Sequence, residues 1–223
     1  MDNVKVIEVQ KSIYADNDKT AAEIRENLTE KKVFLLNIMS SPGSGKTTTL
    51  VQTLNRQKDR WKIAVVEAAI DSTVDAHTIS ETGVHAMQLH TGGMCHMDAN
   101  MTEHAMEELK DEDFDLIIIE NIGNLICTAG FDVGAHCNIN ILSVPEGDDK
   151  PLKYPKMFER TELVLVNKID VMPYFIFDMN AFEENVKMRN PEAKIIPISA
   201  KTGEGVDEWV NWLDAKISEF KNK

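Results

Sequence analysis

Leu36-Asn37-Ile38-Met39-Ser40-Ser41-Pro42-Gly43-Ser44-Gly45-Lys46-Thr47-Thr48 decides the fold. The apolar run from Val33 to Ile38 ends in a loop of small residues, and Gly45-Lys46-Thr47 then opens a helix-compatible segment. Strand, small-residue loop and helix form the context in which such a run binds phosphate. Gly43 and Gly45 let the backbone curl so that successive N–H groups point at phosphate oxygens. The helix N-terminus adds partial positive charge on the same side. The cradle runs from Ser41 through Ser44 to Thr48; Lys46 would reach the β- and γ-phosphates, and the Thr47 hydroxyl would bind Mg²⁺. Ser40 replaces the first glycine of G-x-x-x-x-G-K-[ST], and the bland alternative is an ordinary Gly-rich turn. The intact Gly-Lys-Thr between a strand and a helix favours the phosphate loop.

Around this loop the composition is that of a globular chain. The 223 residues suffice for one domain with a substantial core, and 43% apolar with 27% charged residues is ordinary. A net charge of −13 argues against a nucleic-acid footprint, since no basic stripe is present. No apolar run approaches the roughly 20 residues of a membrane span. Met1-Asp2-Asn3-Val4-Lys5 lacks the basic and then apolar regions of a secretion signal. Cys95, Cys127 and Cys137 are too few for a disulfide scaffold, so a reduced, cytoplasmic setting is expected.

Along the chain, residues 1–16 read as a polar arm. Asn17-Asp18 can cap a helix from Lys19 to about Glu30, with Ala22, Ile24 and Leu28 as its apolar stripe. Residues 1–32 are thus an arm and helix, and 33–223 the nucleotide-binding part of what is overall a single domain. Strands are expected at 62–66, 85–89, 114–119, 138–144, 163–166 and 194–198, and helices at 73–80, 98–109, 178–188 and 206–220. Phe114-Asp115-Leu116-Ile117-Ile118-Ile119 is apolar on both faces, as a parallel sheet requires. The alternation predicts an α/β fold, a doubly wound, mainly parallel sheet in three α/β/α layers. Ligands in such sheets sit beyond the C-terminal ends of the strands, where Ser40, Glu67, Glu120 and Asn167 all fall.

Three constellations carry chemistry. Asn167-Lys168-Ile169-Asp170 follows the strand 163–166, and Ser199-Ala200-Lys201 follows the next. A carboxylate at Asp170 can accept hydrogen bonds from the N1–H and amino group of guanine; adenine would leave it unpaired. Asn167 would tie this loop to the phosphate loop, and the Lys168 stem would lie along the base. Alone, four residues could be a surface turn; behind a phosphate loop they point to GTP and GDP. Glu120-Asn121-Ile122-Gly123-Asn124 closes the most buried strand. There Glu120 can hold the Mg²⁺ shell or orient water, and Gly123 lets the backbone approach the γ-phosphate; otherwise Glu120 caps a turn. Cys95, His96 and Cys127 offer two thiolates and an imidazole to Ni²⁺ or Zn²⁺, one ligand short of a tetrahedral site. By spacing alone they match no zinc finger and read as unliganded cysteines. Met94, Met97 and Met101 recur at helical spacing and read as core packing. Cys137, His77, His85, His90, His104 and His136 receive no assignment.

Ser-Ser-Pro-Gly-Ser-Gly-Lys-Thr-Thr (40–48), Gly-Gly-Met-Cys-His-Met-Asp-Ala (92–99), Ile-Glu-Asn-Ile-Gly-Asn-Leu-Ile-Cys (119–127), Ser-Val-Pro-Glu-Gly-Asp-Asp-Lys-Pro-Leu-Lys-Tyr-Pro (143–155) and Asn-Lys-Ile-Asp (167–170) together resemble the HypB family, nickel-incorporation GTPases of [NiFe]-hydrogenase maturation. The resemblance implies a SIMIBI-class P-loop GTPase that hydrolyses GTP through Lys46 and Glu120, with Thr47 and Glu120 on Mg²⁺. It implies a homodimer when GTP is bound, and a nickel or zinc site of Cys95, His96 and Cys127 at or near the dimer interface. It implies partners among the hydrogenase maturation proteins, notably a HypA-type metallochaperone. The chain departs from the family in lacking an N-terminal Cys-x-x-Cys-Gly-Cys or His-rich run. Ala69 also stands where an aspartate is expected, with Asp71 close by; nucleotide binding is expected to survive this, and efficient hydrolysis is not assured. Two rivals stand beside this reading. One is a urease-accessory nickel GTPase, whose Cys-Pro-His run is absent here. The other is a metal-binding dimerisation module that keeps nucleotide as a structural ligand.

Overall fold

In the computed structural model, residues 9–69 and 74–223 are described. Five strands are buried along nearly their whole length: β1 (Phe34–Ser40), β2 (Ile63–Ala69), β4 (Leu116–Gly123), β5 (Cys137–Ser143) and β6 (Leu163–Asn167). Strands apolar on both faces must be covered on both, so they take the middle of the sheet. The half-exposed β3 (His85–His90) and β7 (Lys194–Pro197) are its edges. All seven pair in parallel in the order β3-β2-β4-β1-β5-β6-β7.

The helices are α1 (Val9–Glu30), α2 (Lys46–Gln57), α3 (Val74–Ser80), α4 (Ala99–Glu108), the short α5 (Lys150–Lys153) and α6 (Pro155–Glu159), α7 (Met179–Arg189) and α8 (Val206–Lys221). On one face of the sheet α2, α3 and α8 bury Leu54, Ile79 and Trp209 against Leu36, Ile118 and Ile139. On the other, α1 and α4 cover Leu35, Ile117 and Ile119. Beside them α6 and α7 cover Met39, Leu142 and Val164. This is the three-layer P-loop NTPase arrangement expected from the alternation of elements. Among the described residues no helix is long and apolar enough to cross a membrane.

The first helix departs from the sequence reading. It begins by Val9, ten residues before Lys19, and Asn17 lies inside it rather than capping it. The Asn17 amide is spent on tertiary contacts: Nδ2 donates to the Asp132 carbonyl at 2.9 Å and Oδ1 accepts the Ala99 N–H at 2.8 Å. Its apolar stripe is Ala21, Ile24 and Leu28, with Ala22 exposed. Strand β4 continues through Glu120 to Gly123 because its pairing with β1 continues. Asp98 and Asp178, expected as first helical residues, cap α4 and α7 instead.

His136 also acquires a role. Its Nδ1 accepts the Leu35 N–H at 2.9 Å, Nε2 faces the Thr29 hydroxyl at 3.0 Å, and the ring stacks on Phe34. Burial, with the nearby Arg25 charge adding to it, lowers its pKa from 6.5 to about 4. The folded state therefore refuses a proton that the unfolded chain accepts. Stability is complete above 6.5 and falls as pH drops toward 4. A urea midpoint followed from pH 7 to 4.5 should decline, and His136→Asn should flatten that decline. An unaltered slope in the variant would assign the acid sensitivity to other groups.

Candidate nucleotide and metal sites

The phosphate loop crosses the C-terminal end of β1. Gly43 (φ +73°) and Gly45 (φ +93°) both take the left-handed conformation, and Gly45 is the N-cap of α2. A Cβ on Gly45 would collide with the Asn167 amide. That amide ties three segments together: Nδ2 donates to the Ser44 carbonyl at 2.8 Å, while Oδ1 accepts from the N–H groups of Lys168 (2.8 Å) and Ala200 (3.0 Å). Lys168 Nζ reaches the Gly43 carbonyl at 2.6 Å, so its stem bridges the Asn-Lys-x-Asp turn and the phosphate loop. The Ser199 hydroxyl donates to Asp170 Oδ1 at 2.7 Å and fixes the carboxylate. Lys201 is exposed in the following turn, and Thr48 is exposed on α2.

The other side of the loop is acidic. The Thr47 hydroxyl donates to Glu120 Oε1 at 2.9 Å. Glu67, which the sequence placed on this rim without a role, lies beside Glu120 in the register of β2 and β4. Burial, then the Glu120 and Asp75 carboxylates, push the Glu67 pKa up to about 7, against the pull of Lys46 and the Ala76 N–H. Burial likewise raises Glu120, opposed by Lys46 and the Thr47 hydroxyl. One oxygen each of Ser44, Glu67 and Glu120 is buried without a hydrogen-bond partner among the described residues. Hard, uncompensated oxygens beside a helix N-terminus fit a divalent cation with a phosphate.

Three details amend the expected cradle. The Ser41 hydroxyl donates to Glu146, which also accepts from the Ser143 N–H and hydroxyl at 2.8 and 2.7 Å. Ser41 is thereby committed to the turn after β5; the signal in the sequence was the spacing Ser143-x-x-Glu146. A Cβ on Gly123 would stand 3.0 Å from Pro42 backbone, so this glycine lets β4 abut the phosphate loop itself. Ala69 is buried at the end of β2, and Asp71 lies outside the described residues. Asp75, in the first turn of α3, is the additional acid felt by Glu67 and Glu120.

On the far side of β4, Cys95, His96 and Cys127 come together, their ligand atoms all within 4.8 Å of one another. Bond lengths of 2.0–2.3 Å place tetrahedral ligands about 3.3–3.8 Å apart, so a small contraction would gather these three on one ion. Cys95 and Cys127 are half-buried rather than buried; only Cys137 is buried in the core. Asn124 Oδ1 accepts from the N–H groups of Ile126 (2.8 Å) and Cys127 (2.9 Å), shaping the turn that presents Cys127. Phe131 stacks on the His96 ring at 4.0 Å. Contact with the Cys95 thiol and burial raise the Cys127 pKa, while burial lowers that of His96 against Asp98. A neutral imidazole suits a metal ligand, and the raised thiol would lose its proton to a metal bound there. Met97 is fully buried and Met101 packs on the core, but Met94 is 40% exposed and departs from the core reading. Asn121, Asn124, Phe131 and Glu146 had no assignment from the sequence, because their roles depend on partners distant in the chain or on turn geometry.

Known proteins share both sites' scaffold. The profile described as CobW/HypB/UreG, nucleotide-binding domain, matches residues 34–197. The chain is 44% identical over 218 residues to a hydrogenase maturation factor HypB of Rhizobium leguminosarum bv. viciae, covering 98% of this chain and 73% of that one. It is 42% identical to a hydrogenase/urease maturation factor HypB of Helicobacter pylori, covering 96% and 90%. The crystal structure of HypB from Helicobacter pylori in complex with nickel superposes with a TM-score of 0.85 at 42% identity, over 92% of this chain and 96% of that one. Likeness of this extent, over fold and sequence alike, means that the chain belongs to the HypB family of hydrogenase maturation factors.

Proposed function

We propose that this chain binds and hydrolyses GTP, and that the nucleotide state governs a nickel site of Cys95, His96 and Cys127 during [NiFe]-hydrogenase maturation. One observation carries the reading: the exit of β4 bears Glu120 against the phosphate loop and, one turn further on, Asn124 and Cys127 at the thiol cluster. Ser44 to Thr48 would cradle the phosphates, Lys46 would neutralise the β,γ-oxygens, and Asp170 with Ser199 would read guanine. Thr47 and Glu120 would hold Mg²⁺, which when bound supplies charge neutralisation at the γ-phosphate. Glu120 would also orient the water that displaces GDP and leaves inorganic phosphate. Nickel is the cargo, and zinc is the competing ion for the same ligands.

A homodimer formed on GTP fits the apolar loop beside Asp170, where Tyr174 and Ile176 are 82% and 99% exposed. A HypA-type metallochaperone would be the donor or recipient of the ion. The Helicobacter pylori relative is named for both hydrogenase and urease maturation, so the second enzyme enters this proposal as an alternative recipient. Ala69 favours a second reading, in which nucleotide is a structural ligand of a metal-binding dimer; Mg²⁺-dependent GTP turnover separates the two, and zero turnover would select the latter.

The coupling itself is tested by Ni²⁺ titration with GDP and with a non-hydrolysable GTP analogue. Affinity should differ between the two states, and by linkage Ni²⁺ should shift nucleotide affinity by the same factor. Cys127→Ala should weaken Ni²⁺ binding and abolish the difference, with GDP affinity nearly intact. Equal Ni²⁺ affinity in both states of the parent would leave two independent sites.

A further inference from the structure

We propose that Asn121 is a positioning residue that transmits the nucleotide state to the Cys95–His96 arm of the metal site, separately from the turn that carries Cys127. This rests on the nucleotide-coupled reading above and adds to it a second route. Successive residues of a strand face opposite sides, so Glu120 points to the phosphate loop and Asn121 to the layer of α1 and α4. Asn121 is 1% exposed. Its Oδ1 accepts the Met97 N–H at 3.2 Å and the Ile122 N–H at 2.9 Å. Its Nδ2 donates to Asn37 Oδ1 at 3.2 Å, and Asn37 Nδ2 donates to Asn138 Oδ1 at 2.8 Å. Met97 directly follows His96, and Asn37 stands on β1, the strand that leads into the phosphate loop.

A single buried amide thus joins three things: the strand of the phosphate loop, the strand that presents Glu120, and the backbone that presents His96. The arm has little freedom to absorb a shift. The Met97 side chain is fully buried, and two residues later the Ala99 N–H is held by Asn17. A movement of Glu120 toward a cation and γ-phosphate turns the same stretch of strand, and Asn121 hands that turn to Met97 and His96. Cys127 is reached by the other route, along the chain through Asn124. The turn through Asn124 moves one ligand and the Asn121 amide moves the arm that carries the other two, so both routes bear on the ligand separations.

A bland role for Asn121 also exists, that of satisfying buried N–H groups. It makes a different prediction: its loss would weaken Ni²⁺ binding equally in both nucleotide states. The experiment uses the full chain, Ni²⁺ alone as the metal, and Mg²⁺ with either GDP or the non-hydrolysable analogue. Its readouts are Ni²⁺ affinity and the thiolate-to-nickel charge-transfer absorption in each state. In Asn121→Ala and Asn121→Ser, the ratio of Ni²⁺ affinities between the two states should move toward unity by at least about twofold, leaving only what the Cys127 turn transmits. The state-dependent difference in the absorption band should shrink with it, while affinities for both nucleotides stay within about threefold of the parent. Variants that keep the parental ratio overturn the proposal while the coupled reading stands. A parent whose ratio is already unity overturns both. Should both variants fail to fold, Asn37→Ser releases the other end of the Asn121 amide without touching Met97. It must shrink the ratio by at least about twofold, and an unchanged ratio overturns the proposal.

Discussion

Asp170→Asn is expected to weaken GTP binding by about 10²–10³-fold, because one hydrogen bond to a carboxylate, worth roughly 1.5–3 kcal/mol, is lost and the donors left facing each other cost about 1 kcal/mol more. The carboxylate is held by the Ser199 hydroxyl at 2.7 Å, so the two guanine donors meet an acceptor already in place. An amide there presents one acceptor and one donor. The donor would face the guanine amino group, a donor itself, and the mismatch leaves both without partners. Xanthine carries an acceptor oxygen at that carbon, so xanthosine triphosphate should gain what GTP loses. Titration of both nucleotides against parent and variant decides the matter. Unchanged GTP affinity would make Asn167-Lys168-Ile169-Asp170 a turn that only braces the phosphate loop.

Lys46→Ala should cost triphosphate affinity on a similar scale, again about 10²–10³-fold, with the fold preserved. The loss has two sources. One is the direct pairing of the ammonium with phosphate oxygens. The other is that Lys46 holds down the pKa values of Glu67 and Glu120, both already raised by burial. Without it these acids keep their protons to higher pH, and the Mg²⁺ shell forms less readily at neutral pH. Circular dichroism should be unchanged while nucleotide titration fails. A variant that unfolds would instead make the lysine a structural counter-ion to two buried acids.

The sequence was most informative where a function depends on consecutive residues. Gly43, Gly45 and Lys46 announced the phosphate loop because a positive φ at glycine and a helix start are local events. The parallel sheet was legible from strands apolar on both faces, such as β4. The thiol cluster was legible only through the family resemblance, since Cys95 and Cys127 are brought together by packing that no spacing encodes. Asn17 shows what stays hidden. Its propensity to cap a helix was real, but contacts with Ala99 and Asp132 outweigh it in the folded chain. Glu67 was placed on the correct rim by strand length alone. That its carboxyl group is pushed up to about 7 depends on Glu120 and Asp75, from another strand and a helix.

The strand order divides the molecule along its own sequence. Strands β1 to β4 occupy one side of the sheet and β5 to β7 the other. The phosphate loop, Cys95, His96, Cys127 and the α1 residues that brace them all precede residue 133, whereas Asn167, Asp170 and Ser199 come later. Chains are synthesised from the N-terminus and fold as they emerge. The ribosome therefore delivers the proposed metal ligands and phosphate cradle before any residue proposed to read the base. The proposed discrimination between purines would then be the last property the nascent chain acquires, and a product cut short before β6 would carry both thiols and the phosphate loop without the residues proposed to choose guanine.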